Sequence, residues 1–152
     1  MKKYFIFLFA LLLSMGLVTV SCKKEKVSGD NSTSYSGYAP TLDATSGKTF
    51  QGLSNHVNFS YDGSSWNVTA KYSTLYPNFQ LTSKSVSYAK NSDNGATFTY
   101  NVSFTYRSSY SGETMSYSTS GSLSLYFISP SEGYASGTRD NKTISNEVFT
   151  LL

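Results

Sequence analysis

Between Thr97 and Phe127 the chain alternates with a period of two. Phe98, Tyr100, Val102, Phe104 and Tyr106 are interleaved with Thr97, Thr99, Asn101, Ser103 and Thr105. Met115, Tyr117, Thr119, Gly121, Leu123, Leu125 and Phe127 then alternate with an almost unbroken serine file from Ser116 to Ser124. Successive side chains of a strand point to opposite faces, whereas a helix would scatter this pattern around its axis. The two segments are therefore strands with one apolar and one neutral polar face. An apolar face must be covered, so the sheet has to close on itself or stack on another.

Turn residues separate further segments of the same kind. Thr49–Leu53 is a short first strand, and Val57, Phe59 and Tyr61 share the apolar face of the next. His56, Asn58 and Ser60 lie on its polar face, so His56 is expected to face solvent. Asp62-Gly63 is a hairpin signal, because glycine reaches positive φ without steric cost. Trp66, Val68, Ala70 and Tyr72 alternate with polar residues until Tyr76-Pro77-Asn78 breaks the strand. Phe79 and Leu81 have the opposite parity to Val86 and Tyr88, which predicts a bulge or corner near Ser83–Ser85. Beyond Pro130, a short strand at Tyr134–Thr138, a turn at Asp140-Asn141 and a last strand at Ile144–Leu152 complete the set.

About eight strands joined by short turns give an antiparallel meander. Eight tilted strands just suffice to close a barrel filled by side chains or by one small ligand. Closure also removes exposed strand edges. The expected fold is therefore all-β, an up-and-down β-barrel over residues 48–152, with a β-sandwich as the alternative. The last strand would pair with the first.

The amino terminus is of another kind. Lys2 and Lys3 precede an uncharged apolar run from Tyr4 to Val20, which ends at Ser21 and Cys22 and is followed by Lys23-Lys24-Glu25-Lys26. A basic start, an apolar stretch and a small-residue exit describe a secretory signal helix over residues 1–21. A membrane span, the alternative, needs about 20 apolar residues. The segment resembles a bacterial lipoprotein signal, in which the cysteine closing the apolar run becomes the new, acylated amino terminus. That resemblance implies lipidation at Cys22 and an anchor in the membrane of the cell envelope, the outer membrane in such bacteria. Thr19 stands where that family usually has leucine, and Thr19-Val20-Ser21 would also serve an ordinary signal peptidase. Cys22 is the only cysteine in the chain. Two or more acyl chains give stable anchoring, since each buried methylene contributes about 0.8 kcal/mol. Residues 27–47 are dominated by Ser, Gly, Asn and Thr without periodicity, so residues 22–47 read as lipidated terminus and flexible linker, partly ordered if Tyr35, Tyr38 and Leu42 dock on the domain instead. The domain is in turn similar, in strand count and turn spacing, to the small lipocalin-like barrels carried by bacterial lipoproteins.

Composition narrows the function. Without residues 1–21, ten basic residues face nine acidic ones, which gives no basic patch for nucleic acid. One cysteine and one histidine provide neither a four-thiolate zinc site nor material for much acid–base chemistry. Asp62, Asp93 and Asp140 sit in turns, where aspartate commonly bonds its own backbone. Glu113, Glu132 and Glu147 form no evident catalytic pair, and no Gly-x-Ser-x-Gly elbow occurs. A non-enzymatic protein without cofactor or metal is the expectation. Trp66, Tyr72, Tyr88, Tyr100, Phe104, Tyr117 and Leu125 share the inward parity. They either pack the interior or line a pocket for a small, largely apolar ligand. The alternative is an interaction module that meets a glycan or a protein through its Ser/Thr-rich surface or through loop tyrosines such as Tyr76, Tyr110 and Tyr134.

Overall fold

The structure, a computed structural model, describes residues 37–152. The signal segment and Cys22 lie outside the described residues. Eight antiparallel strands follow one another: β1 (Thr49–Gln51), β2 (Val57–Tyr61), β3 (Trp66–Ala70), β4 (Gln80–Lys90), β5 (Gly95–Arg107), β6 (Thr114–Ser129), β7 (Glu132–Arg139) and β8 (Lys142–Leu151). Every strand pairs with its neighbour in sequence except across the β3/β4 break, and β8 returns to β1 through Phe50 opposite Leu151. This is the expected up-and-down meander, rolled into a nearly closed barrel. The sandwich alternative is excluded because one continuous sheet contains all eight strands.

The alternation read from sequence sets the two faces. Phe98, Val102, Phe104 and Phe127 are fully buried, with Tyr100, Leu123 and Leu125 nearly so, whereas Ser116, Ser118, Ser122 and Ser124 face outward. The parity change in β4 is a bulge between Leu81 and Ser83, one residue ahead of the expected corner. It returns Lys84, Val86 and Tyr88 to the inward side opposite Val102, Tyr100 and Phe98. At the seam the edges of β3 and β4 share no backbone ladder, and the Lys84 ammonium donates to the Trp66 carbonyl across the gap. An inward-leaning lysine on an edge strand also discourages pairing with a foreign strand.

The hairpin turns have their own chemistry. Asp62 accepts from the backbone N–H groups of Ser64 and Ser65 at 2.9 and 2.8 Å and from three side chains. The bonds from Ser65 and Ser64 hold its carboxyl far below the usual carboxylate range. Asp140 and Asn141 both occupy the left-handed region, with φ of 50° and 62°, as a two-residue hairpin turn demands.

An up-and-down barrel has two distinct ends. Strands β1, β3, β5 and β7 start at the end where the described chain begins, here termed proximal, and finish at the distal end. The linker expected up to residue 47 is, from Gly37 onward, part of the domain. Ala39 and Thr45 are buried, Tyr88 donates its hydroxyl to the Pro40 carbonyl at 2.7 Å, and the Ala39 N–H bonds the Asp93 carbonyl at 2.8 Å. Low-complexity composition concealed these contacts, because backbone groups and single small residues make them. The segment covers the proximal opening, while the β1–β2 loop, with Leu53 and Ser54 fully buried, covers the distal one.

Candidate functional site

The interior is occupied by its own side chains. Phe50, Phe59, Trp66 and Phe98 meet ring to ring with centroids 5.1–5.9 Å apart, and Phe59 lies 4.8 Å from Tyr100. Of the residues expected to line a pocket, Trp66, Tyr88, Tyr100, Phe104 and Leu125 do come together inside. Trp66, Tyr88, Tyr100 and Phe104 take part in the edge-to-face and tilted ring pairs typical of a packed core. The two inward hydroxyls are satisfied within the wall, Tyr88 at Pro40 and Tyr100 at the Leu53 carbonyl, 3.2 Å away. Desolvation pushes both phenols up from their ordinary range.

Tyr72 and Tyr117 depart from their expected place. Strand β3 ends at Ala70, so Tyr72 falls in the following turn, 48% exposed, with the Lys71 ammonium 5.5 Å from its ring centre. Tyr117 keeps the inward parity, opposite Phe104, but the long β5–β6 hairpin carries it out to the distal rim, where it is 37% exposed. Alternation predicts a face; it does not predict where along a strand the barrel stops.

At that rim Tyr117 meets a cluster that the sequence pattern did not reveal. His56 is half-buried rather than solvent-facing. Its Nδ1 lies 2.6 Å from the Tyr76 hydroxyl and its Nε2 3.0 Å from the Tyr117 hydroxyl. The backbone fixes it there, because the His56 N–H donates to Ser54 Oγ at 3.2 Å in the loop that covers the barrel. Tyr76 in turn packs edge-on against Phe104 and Tyr106 at 5.5 and 5.0 Å. Burial lowers the His56 pKa most strongly, and the nearby Asp140 carboxylate, 3.9 Å away, pulls it back up. A neutral imidazole offers one donor and one acceptor, which matches two tyrosine hydroxyls that each can take either part. Desolvation is also the largest influence raising Tyr76 and Tyr117.

Asp140 links this rim to the outer wall. Its Oδ1 accepts from Thr119 Oγ1 at 2.8 Å and from the Ser120 N–H at 2.9 Å, while Oδ2 faces His56. Outside it an open cleft of about 500 Å³ is lined by Asn101, Ser103, Ser118, Thr119, Ser120, Asp140 and Asn141. Hydroxyls, two amides and one carboxylate thus surround a polar hollow. Nearby, the Arg139 guanidinium pairs with Glu147 and donates to the Gly52 carbonyl at 3.1 Å, so it stays committed to the wall. Among the described residues no group of three or more His, Cys, Asp or Glu side chains could hold a metal ion.

No protein-family model, curated protein or solved structure matches the chain.

Proposed function

We propose that the protein is a lipid-anchored, non-enzymatic component of a bacterial cell envelope that binds a neutral glycan at the distal, outward side of its barrel. The observation that carries the binding half is the filled interior: both openings are covered and aromatic rings occupy the centre, so a ligand is better accommodated outside. The cleft at Asn101, Ser120, Asp140 and Asn141 has the chemistry of sugar recognition, with planar amides and a carboxylate for vicinal hydroxyls. The Asp140 carboxylate disfavours an anionic ligand. Ser103 and Ser118, paired across β5 and β6, add two hydroxyls to the floor of the same cleft. The non-enzymatic half rests on the sequence, which holds one histidine, no Gly-x-Ser-x-Gly elbow and no evident pair of catalytic carboxylates. The anchor half rests on the basic, apolar and small-residue sequence leading to Cys22.

Calorimetric titration with neutral envelope-derived oligosaccharides tests the binding reading. Saturable heat that is lost in Asn101→Ala and weakened in Ser103→Ala is the expected result. Binding that survives both substitutions, or an apolar dye displaced from the core by the true ligand, would move the site elsewhere.

A further inference from the structure

The outer wall of the barrel is not uniformly polar. Tyr126 on β6 stands directly opposite Tyr134 on β7, and Tyr134 opposite Val148 on β8, so one row of large side chains crosses three strands. These residues are 55%, 38% and 54% exposed, and Ile128, two positions beyond Tyr126, is 40% exposed. Away from the proximal turn the same strands continue outward with Ser122, Ser124 and Thr138, all uncharged, while Glu132, two positions from Tyr134, is the one outward charge beside the row. The row lies in the proximal half, near the turn at Pro130. Exposed Tyr38 and a groove of about 540 Å³ between Tyr38, Pro40, Lys48, Lys90 and Pro130 lie at that same end.

We propose that this proximal aromatic row docks on the headgroup layer of the membrane that carries the anchor, holding the barrel against the bilayer with its distal rim turned outward. The proposal rests on the anchor reading for its geometry. The described chain begins at Gly37, at the proximal end, and Cys22 lies fifteen residues earlier in sequence. Fifteen residues reach at most about 50 Å, so the tether of an acylated Cys22 joins the barrel at this end and leaves the aromatic row within range of the lipid. Tyrosine favours the water–bilayer boundary, where its ring is apolar and its hydroxyl wet. Size also selects the partner. A stable protein interface takes about 20–30 residues a side, far more than this row provides. A weak contact becomes effective when a tether makes it intramolecular.

Charge decides what kind of membrane contact this is. Lys48 and Lys90 stand in no ion pair among the described residues, but Asp43, Asp62, Asp93 and Glu132 share their end. With Lys23, Lys24, Glu25, Lys26 and Asp30 of the tether included, six acids against five lysines give no net attraction to an anionic surface. The docking is therefore apolar, works on zwitterionic lipid, and is insensitive to salt.

The test supplies the anchor chemically, so that it does not depend on how the cell processes Cys22. The chain from residue 22 onward is coupled through this single thiol to a maleimide phospholipid in phosphatidylcholine nanodiscs that also contain a headgroup nitroxide. Residues near the lipid then lose amide signal intensity. The expected result is several-fold stronger loss at Tyr126, Tyr134 and Val148 than at Tyr117 and Asn141, unchanged in 0.5 M salt. Tyr126→Ser/Tyr134→Ser, verified as folded by its dispersed spectrum, should abolish the difference. Equal loss at both ends, a difference that persists in the double variant, or shifts that depend on protein concentration and so report a second copy would each overturn the proposal. Acyl labelling of the natural protein tests the anchor separately, so the two failures are distinguishable.

Discussion

The ring of Tyr100 lies close over Gly121, its cross-strand partner: a Cβ added at Gly121 would stand 2.4 Å from Cε1 of the tyrosine. The absent side chain gives the ring room to lean across β6 and reach the Leu53 carbonyl in the loop that covers the distal opening. One glycine thus couples a strand to a cap. Gly121→Ala should displace the ring and destabilise the protein by about 1–3 kcal/mol, the usual cost of overpacking. Urea unfolding measures the loss. Wild-type stability in the variant would mean that the ring is free to move.

Phe104 is buried against Tyr76, Phe79 and Tyr117, with centroids 4.8–5.6 Å away. Phe104→Ala should cost about 3–5 kcal/mol, whereas Ser118→Ala, on the outer face, should cost under about 0.5 kcal/mol. Similar small losses for both would contradict the packed interior.

The His56 cluster makes stability depend on pH. Its pKa is lowered in the folded state, so the unfolded chain binds the proton more readily. The contribution is fully present above the ordinary histidine value of about 6.5 and fades as pH falls through the lower folded value. Thermal melts between pH 7.5 and 5 should therefore show a falling midpoint, and His56→Gln should flatten that step. An unchanged slope in the variant would assign the acid sensitivity to the carboxylates.

Much of this fold is written in two-residue alternation, which identifies Phe98 to Tyr106 and Leu123 to Phe127 as inward with no tertiary information. The pairing of the last strand with the first follows because a closed meander leaves Leu151 only Phe50 to meet. What alternation cannot encode is distance along the barrel axis. Tyr117 obeys the pattern and still emerges at the rim, and Tyr72 lies just past the last hydrogen-bonded residue of β3. His56 escaped for a related reason. Its polar-face parity belongs to β2, but it precedes that strand, in a loop whose path depends on contacts with Tyr76 and Tyr117 from distant segments. The outer row of Tyr126, Tyr134 and Val148 emerges only when three strands are placed in register, since each residue alone looks like an isolated exposed side chain.

The seam between β3 and β4 is the weak point of the wall. Lys84→Ala removes the side-chain bridge to the Trp66 carbonyl and should cost about 1 kcal/mol, the scale of one partly exposed hydrogen bond. Hydrogen exchange should accelerate at β3 and β4 before it does at β5 and β6. Uniform acceleration through all eight strands would mean that the seam does not open first.

Cys22→Ser should abolish incorporation of a labelled fatty acid and release the protein from the membrane fraction or leave it unprocessed. Label retained by the variant would place the acyl group on another residue.

Native mass spectrometry of the protein purified from envelopes tests the central claim most directly, because one spectrum reports acylation and any retained interior ligand. The expected spectrum is that of a chain starting at Cys22 that carries acyl mass on its terminus and, after detergent is stripped, no further apolar molecule. An unacylated chain, or a small apolar ligand that stays bound until the barrel unfolds, would contradict it.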